Sequence, residues 1–160
     1  MGNLPLIMVV DDEKIIADSL KEMIDSTKKY DVVAAYSAKE ALDTLKKNKG
    51  FLGMGKNKIR LIFLDIKMPE MDGLQFLEKL RDEYEKSIGV IIVSAWSDEE
   101  KWLVAASEYV AGYIIKPFKR EIILKALNRF FEGQSTDMSA EIMQTFLQKD
   151  FVVKKDGEGQ

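Results

Sequence analysis

The 160-residue chain contains no cysteine and no histidine. The first absence excludes disulfides, thiolate nucleophiles and the usual zinc sites; the second excludes Ser-His-Asp and Cys-His catalysis. A chain without histidine cannot carry its own phosphohistidine, so any such donor must be another protein. No apolar run approaches the ~20 residues that span a bilayer, and the N-terminus lacks a basic-then-apolar signal pattern. The expectation is a cytoplasmic protein with no membrane partner. The net charge of −3 argues against a surface that coats nucleic acid, so no direct nucleic-acid binding is expected either.

What is present is an ordinary globular composition, 46% hydrophobic and 32% charged. Short apolar runs alternate with segments of helical period. Leu6 to Val10 precedes a helix near Lys14 to Ser26 that carries Ile16, Leu20, Met23 and Ile24 on one face. The pattern recurs as Val32 to Tyr36 with Ala38 to Lys47, and Ile59 to Leu64 with Gly73 to Tyr84. Val90 to Val93 with Asp98 to Glu108, and Tyr113 to Ile115 with Lys119 to Phe131, complete it. Five strand-helix pairs in succession predict an α/β fold with a parallel sheet covered on both faces, because parallel neighbours need crossover connections.

Two segments fall outside the five units. Asn48 to Lys58 is a Gly-, Lys- and Asn-rich loop, longer than the usual helix-to-strand connection. Its stretch Gly50 to Asn57 is one residue short of a Walker A match. It lacks the final Ser or Thr and links a helix to a strand rather than a strand to a helix, so it reads as a solvated insertion. Ser135 to Val153 predicts one more helix, with Asp137 as N-cap and Met138, Ile142, Phe146 and Leu147 as an apolar stripe. The domain division expected is therefore 4–132 as the α/β unit and 133–160 as a helical extension or linker.

In an open parallel α/β sheet, ligands bind beyond the carboxyl ends of the strands. The residues ending the predicted strands are Asp11 and Asp12, Asp65, Ser94 and Lys116. Three carboxylates on one rim repel one another unless a cation intervenes, and oxygen donors of this kind suit Mg2+. A lysine and a hydroxyl facing that ion complete a cradle for a phosphoryl group, whose transfer depends mainly on neutralising its oxygens.

Here the chain resembles a known family. Val9-Val10-Asp11-Asp12-Glu13, the segment Phe63-Leu64-Asp65-Ile66-Lys67-Met68-Pro69-Glu70-Met71-Asp72-Gly73, the pair Ser94-Ala95 and the run Lys116-Pro117-Phe118 are similar to the receiver domain of two-component response regulators. The resemblance covers about Leu4 to Phe131. It implies a flavodoxin-like, doubly wound five-stranded sheet of order 2-1-3-4-5, to which the predicted C-terminal helix is an addition. It also implies a phosphorylation switch: Asp65 as phosphoacceptor from a sensor histidine kinase or phosphotransfer protein, with Mg2+ bound by Asp12, Asp65 and the backbone carbonyl of Lys67, and by Asp11 through water. Lys116 would pair with the phosphoryl oxygens, Ser94 and Tyr113 would switch together, and the Lys116-Pro117 bond would be cis. The output surface would be the predicted fourth helix, fifth strand and fifth helix. It would control a downstream protein or a missing C-terminal output domain, and homodimerisation through it is expected. No enzyme turnover is expected beyond self-phosphorylation and autodephosphorylation.

Each element also has a plainer reading. The Asp-Asp-Glu run could only complement a helix dipole, Met68 to Gly73 could be turn chemistry, Lys116 could be a solvated cation and Tyr113 a strand aromatic. Lys67 and Trp96 depart toward bulk and charge at positions that flank the phosphoryl group in the family, which suggests slow loss of the phosphoryl group. Two rival functions are a haloacid-dehalogenase-like phosphatase, which wants an acid where Lys67 stands, and a phosphorylation-independent pseudo-receiver, which usually lacks an acid, the acceptor or the lysine.

Overall fold

Alternation along the strands decides how the chain folds. In the computed structural model, which describes residues 3–95 and 110–133, the central strands are buried along nearly their whole length. Their successive side chains therefore point into two separate cores. Strand β1 (Leu6–Val10) sends Met8 and Val10 to one side and Ile7 and Val9 to the other; β3 (Ile59–Leu64) divides Ile62 and Leu64 from Leu61 and Phe63 in the same way. With β2 (Asp31–Ala35), β4 (Gly89–Ser94) and β5 (Gly112–Ile115) they form one parallel sheet of order β2-β1-β3-β4-β5. This is the order and the doubly wound architecture expected from the resemblance.

Helices α1 (Lys14–Asp25) and α4 (Arg120–Phe131) seal one face with Ala17, Leu20, Ile24, Ile123 and Leu127; α2 (Ala38–Lys47) and α3 (Gly73–Tyr84) seal the other with Ala41, Leu45, Phe76, Leu77 and Leu80. On α1 the predicted stripe holds: Leu20 and Ile24 are buried, Ile16 and Met23 half-buried, while Ile15, one position away, is 86% exposed. Ser37 caps α2 by accepting the N–H of Glu40 at 3.0 Å. Asp72 and Gln75 form a reciprocal capping box on α3.

Predicted boundaries shift by one residue at several ends: β2 begins at Asp31, β4 reaches Ser94 and α4 starts at Arg120. The Asn48 to Lys58 connection is not wholly irregular, since it contains a 3-10 turn at Phe51–Gly53. The helix predicted at 98–108, Trp96, and the helix predicted at 135–153 with its Asp137 cap lie outside the described residues. Among the described residues, no helix is long and apolar enough to cross a membrane.

Candidate functional site

The sheet's own hydrogen bonds carry the candidate residues to one rim. Asp11 donates its N–H to the Ala35 carbonyl at 3.1 Å, Asp65 donates to the Val10 carbonyl at 2.9 Å, and Lys116 donates to the Ser94 carbonyl at 2.9 Å. Each is thus one step past its strand, still held by the ladder. Asp11 is fixed further by its Oδ1, which accepts the N–H of Glu13 at 2.9 Å as the chain turns into α1.

Lys116 closes the cluster. Its Nζ lies 2.7 Å from Asp11 Oδ2, 3.4 Å from Asp65 Oδ1 and 3.8 Å from Glu13 Oε1. Carboxylate oxygens of Asp11, Asp12 and Asp65 all lie within 4.8 Å of one another. Asp11 and Asp65 are only 3% and 4% exposed, whereas Asp12 faces solvent. Ser94 is fully buried at the end of β4, and Tyr113 is half-buried in β5. Lys67 is exposed, two residues past Asp65, and the Lys116-Pro117 peptide is cis.

Burial and crowding set the charges. Desolvation, reinforced by the Asp11 charge and only partly offset by Lys116, pushes Asp65 up to about 7. Asp11 is also raised by burial, against the opposing hydrogen bond from Lys116. Burial works to lower Lys116, but its hydrogen bond to Asp11 and the charges of Asp65 and Asp11 outweigh that, so the ammonium is held above its ordinary value. One cation therefore serves two buried acids, and a second positive charge would be favourable there.

The donor set fits a small hard divalent ion. Magnesium takes oxygen ligands at about 2.1 Å, so two ligands on one ion stand at most about 4.2 Å apart. The 4.8 Å spread of the three carboxylates exceeds that limit by about 0.6 Å, so direct ligation by all three would require the exposed Asp12 to draw in, while ligation of one acid through a water fits as it stands. These aspartates are all oxygen donors, with no nitrogen or sulfur to favour zinc.

The wall of the site is the segment after Asp65, whose Pro, Asp and Gly also read as turn chemistry. Ile66 is fully buried and Met68 nearly so, and Gly73 donates to the Ile66 carbonyl at 2.7 Å. A Cβ on Gly73 would stand 2.3 Å from the Asp65 carbonyl oxygen and 2.7 Å from the Ile66 Cα. Gly73 is thus required for close approach, and it lets the N-terminus of α3 press against the backbone of Asp65. Two contributors are not among the site residues named from the sequence: Gly73, signalled by the Asp72-to-Gln75 capping spacing, and Glu13, third in the acidic run and 3.8 Å from Lys116 Nζ.

Residues 7–128 match the family described as "Response regulator receiver domain". Among characterised relatives, the chemotaxis protein CheY of Treponema pallidum is 31% identical over 121 residues, covering 76% of this chain and 78% of that protein. The transcriptional regulatory protein AruR of Pseudomonas aeruginosa is 32% identical over 129 residues, 80% of this chain and 50% of that protein. The transcriptional regulatory protein CrdR of Helicobacter pylori is 24% identical, with 85% of this chain and 59% of that protein covered. The chain therefore spans only about half the length of the two transcriptional regulators. Among solved structures, a CheY-like response regulator receiver domain protein from Methanospirillum hungatei superposes with a TM-score of 0.70 at 25% identity, covering 84% of this chain and 99% of that one.

Proposed function

Since this chain belongs to the response regulator receiver domains, we propose that it is a two-component signalling switch whose phosphoacceptor is Asp65. In the proposed reaction an Asp65 carboxylate oxygen attacks the phosphorus of a phosphohistidine on a sensor kinase or phosphotransfer protein. The O–P bond forms as the N–P bond breaks, and the imidazole leaves on the donor. The observation that carries the reading is the pair of buried acids, Asp11 and Asp65, on Lys116 Nζ, with exposed Asp12 within 4.8 Å of both acids.

Phosphorylation turns the singly charged Asp65 carboxylate into an acyl phosphate of about −2 charges, beside the two remaining carboxylates of the rim. Lys116, at 3.4 Å from Asp65, would neutralise the phosphoryl oxygens, and that distance supports the role. Asp11, Asp12, Asp65 and the Lys67 carbonyl would hold Mg2+, which when bound supplies further neutralisation of those oxygens. In the metal-free state Lys116 balances the acids; as phosphoryl oxygens arrive it exchanges one pairing for another. Ser94, at the end of β4, would accept a new role toward the phosphoryl group, with half-buried Tyr113 following in β5. That coupling would bias the output surface of the helix predicted at 98–108, β5 and α4 between two states.

We assign the receiver unit to 4–132, with 133–160 as extension or linker. A histidine kinase or phosphotransfer protein stands upstream and an output partner, or an output domain on a longer chain, stands downstream. Homodimerisation through that same surface belongs to the proposal, as does the absence of enzyme turnover beyond self-phosphorylation and autodephosphorylation. A haloacid-dehalogenase-like reading is disfavoured because Lys67 stands where its second acid belongs. A pseudo-receiver reading is disfavoured because acids, acceptor and lysine all remain.

The test is incubation with Mg2+ and acetyl phosphate, followed by intact mass and peptide mapping. One labile phosphoryl group on Asp65 is expected, blocked by Asp65→Asn and by chelation. Repeated release of phosphate without accumulation would point to the phosphatase, and no modification to the pseudo-receiver.

A further inference from the structure

The pole of the molecule opposite Asp65 carries the reverse charge. Between Thr44 and Leu64 stand six cations and no acid, in a chain whose net charge is −3. Lys56, Lys58 and Arg60 converge on a recess of about 610 Å³ at the amino-terminal edge of the sheet, whose wall also includes Leu4 and a single acid, Asp31. Among the described residues none of these three cations has an ion-pair partner. Lys49, by contrast, is paired with Glu83.

Beside the cations the connection from α2 to β3 displays apolar side chains to water. Leu52 is 79% exposed and Met54 72%, and Leu4, in the segment before β1 and in the wall of the recess, is 42% exposed. The loop is closed at its base rather than loose. Lys58 donates to the Asn48 carbonyl at 2.9 Å, and buried Asn57 donates to the Leu45 carbonyl at 2.8 Å while accepting from the Ile59 N–H at 2.9 Å. Left-handed backbone at Leu52 (φ 57°), Gly53 (71°) and Gly55 (92°) shapes the tip. The fold thus holds a convex aliphatic tip beside unpaired cations.

We propose that this pole is a peripheral docking surface for an anionic lipid bilayer. Protein–protein interfaces are depleted in lysine and gain most from Arg and aromatic anchors in concave pockets. Here the charge is mainly lysine and the apolar element is convex, which suits a deformable interface with smeared negative charge. Single-stranded nucleic acid would call for stacking platforms, and among the described side chains those exposed at the tip, Leu52 and Met54, are not aromatic. The acidic rim lies at the other end of the strands, about 20 Å away for a six-residue strand. Adsorption by the basic pole therefore turns Asp65 away from the membrane and leaves it open to a phosphodonor. The inference revises the expectation of no membrane partner, because surface adsorption and spanning are separate properties.

The test is co-sedimentation of the full 160-residue chain with vesicles of phosphatidylcholine alone or mixed equally with phosphatidylserine, beside an arm with single- and double-stranded oligonucleotides. Binding to the phosphatidylserine vesicles alone is expected, lost at about 1 M salt where the screening length falls to about 3 Å. The triple variant K56Q, K58Q, R60Q should lower partitioning by about 100-fold, at about fivefold per cation near the surface. The pair Leu52→Ser and Met54→Ser should lower it by about tenfold, as partial burial of two apolar side chains is lost. Unchanged thermal melting checks that each variant folds, and the single exposed change Met54→Asp serves if the pair does not. Equal sedimentation with both vesicle types, variants that bind like wild type, or tighter binding to oligonucleotide than to the anionic vesicles would each overturn the proposal.

Discussion

Replacing Asp65 by Asn should make the metal-free protein more stable, and only where the acid would be charged. Folding raises this acid from 3.8 to about 7, chiefly through burial and the neighbouring Asp11 charge. Below the unfolded value the folded and unfolded states are both protonated and there is no penalty. Between about 4 and 7 the folded state holds a proton that the unfolded state has released, so stability falls as pH rises, and above about 7 the whole penalty is present. The interval corresponds to at most about 4 kcal/mol at 1.36 kcal/mol per pKa unit; screening by solvent at the open rim leaves about 2. For a chain of this size that is a rise in Tm of about 4–8 °C. Urea and thermal unfolding in chelator at pH 8 and pH 4.5 would measure it. Asp65→Asn should gain about 2 kcal/mol at pH 8 and about a quarter of that at pH 4.5. Mg2+ should stabilise the wild type and narrow the difference. An equal gain at both pH values, or a loss at pH 8, would show that buried like charge does not strain this site.

Lys116→Met should destabilise the metal-free protein by about 3 kcal/mol or more, since Asp11 and Asp65 lose their shared counter-charge; carboxyl NMR should show the Asp65 midpoint moving above 7. Gly73→Ala should cost about 1–3 kcal/mol and slow phosphorylation by acetyl phosphate with every site side chain still in place, because the new methyl meets backbone at 2.3 Å. Asp12→Asn, at an exposed position, should leave melting in chelator nearly unchanged while weakening Mg2+ binding by about tenfold or more, read by titration of the metal-induced Tm rise. The presence in the sequence of both Trp96 and Lys67 predicts slow loss of the phosphoryl group; replacing both with small neutral residues should speed it, timed by decay of label on Asp65.

The fold was legible because a doubly covered sheet writes itself as short runs of Ile, Val and Leu at regular spacing, and because each acid of interest directly follows such a run. The rim residues could be listed from the sequence for the same reason. Their pairing could not. That Lys116 spans Asp11 and Asp65, and touches the edge of Glu13, depends on how β1, β3 and β5 lie in space, and no periodicity encodes a distance. Gly73 reads as a turn glycine until the Asp65 carbonyl is seen where its Cβ would go. The Gly50 to Asn57 stretch shows the converse: a near match to a phosphate loop that sits at the wrong end of the strands, where its lysine joins a basic recess. Strand ends moved by one residue because ladder hydrogen bonds, rather than hydrophobicity, decide where pairing stops.

Asp11 and Asp65 hang from adjacent strands, so their spacing is copied from the backbone ladder, about 4.8 Å in any β-sheet. A gap defined in this way behaves as a fixed gauge. Insertions such as the one between α2 and β3 can lengthen, shorten or change composition without resetting it, and a new peripheral property can be added at one end while the aperture at the other keeps its calibre.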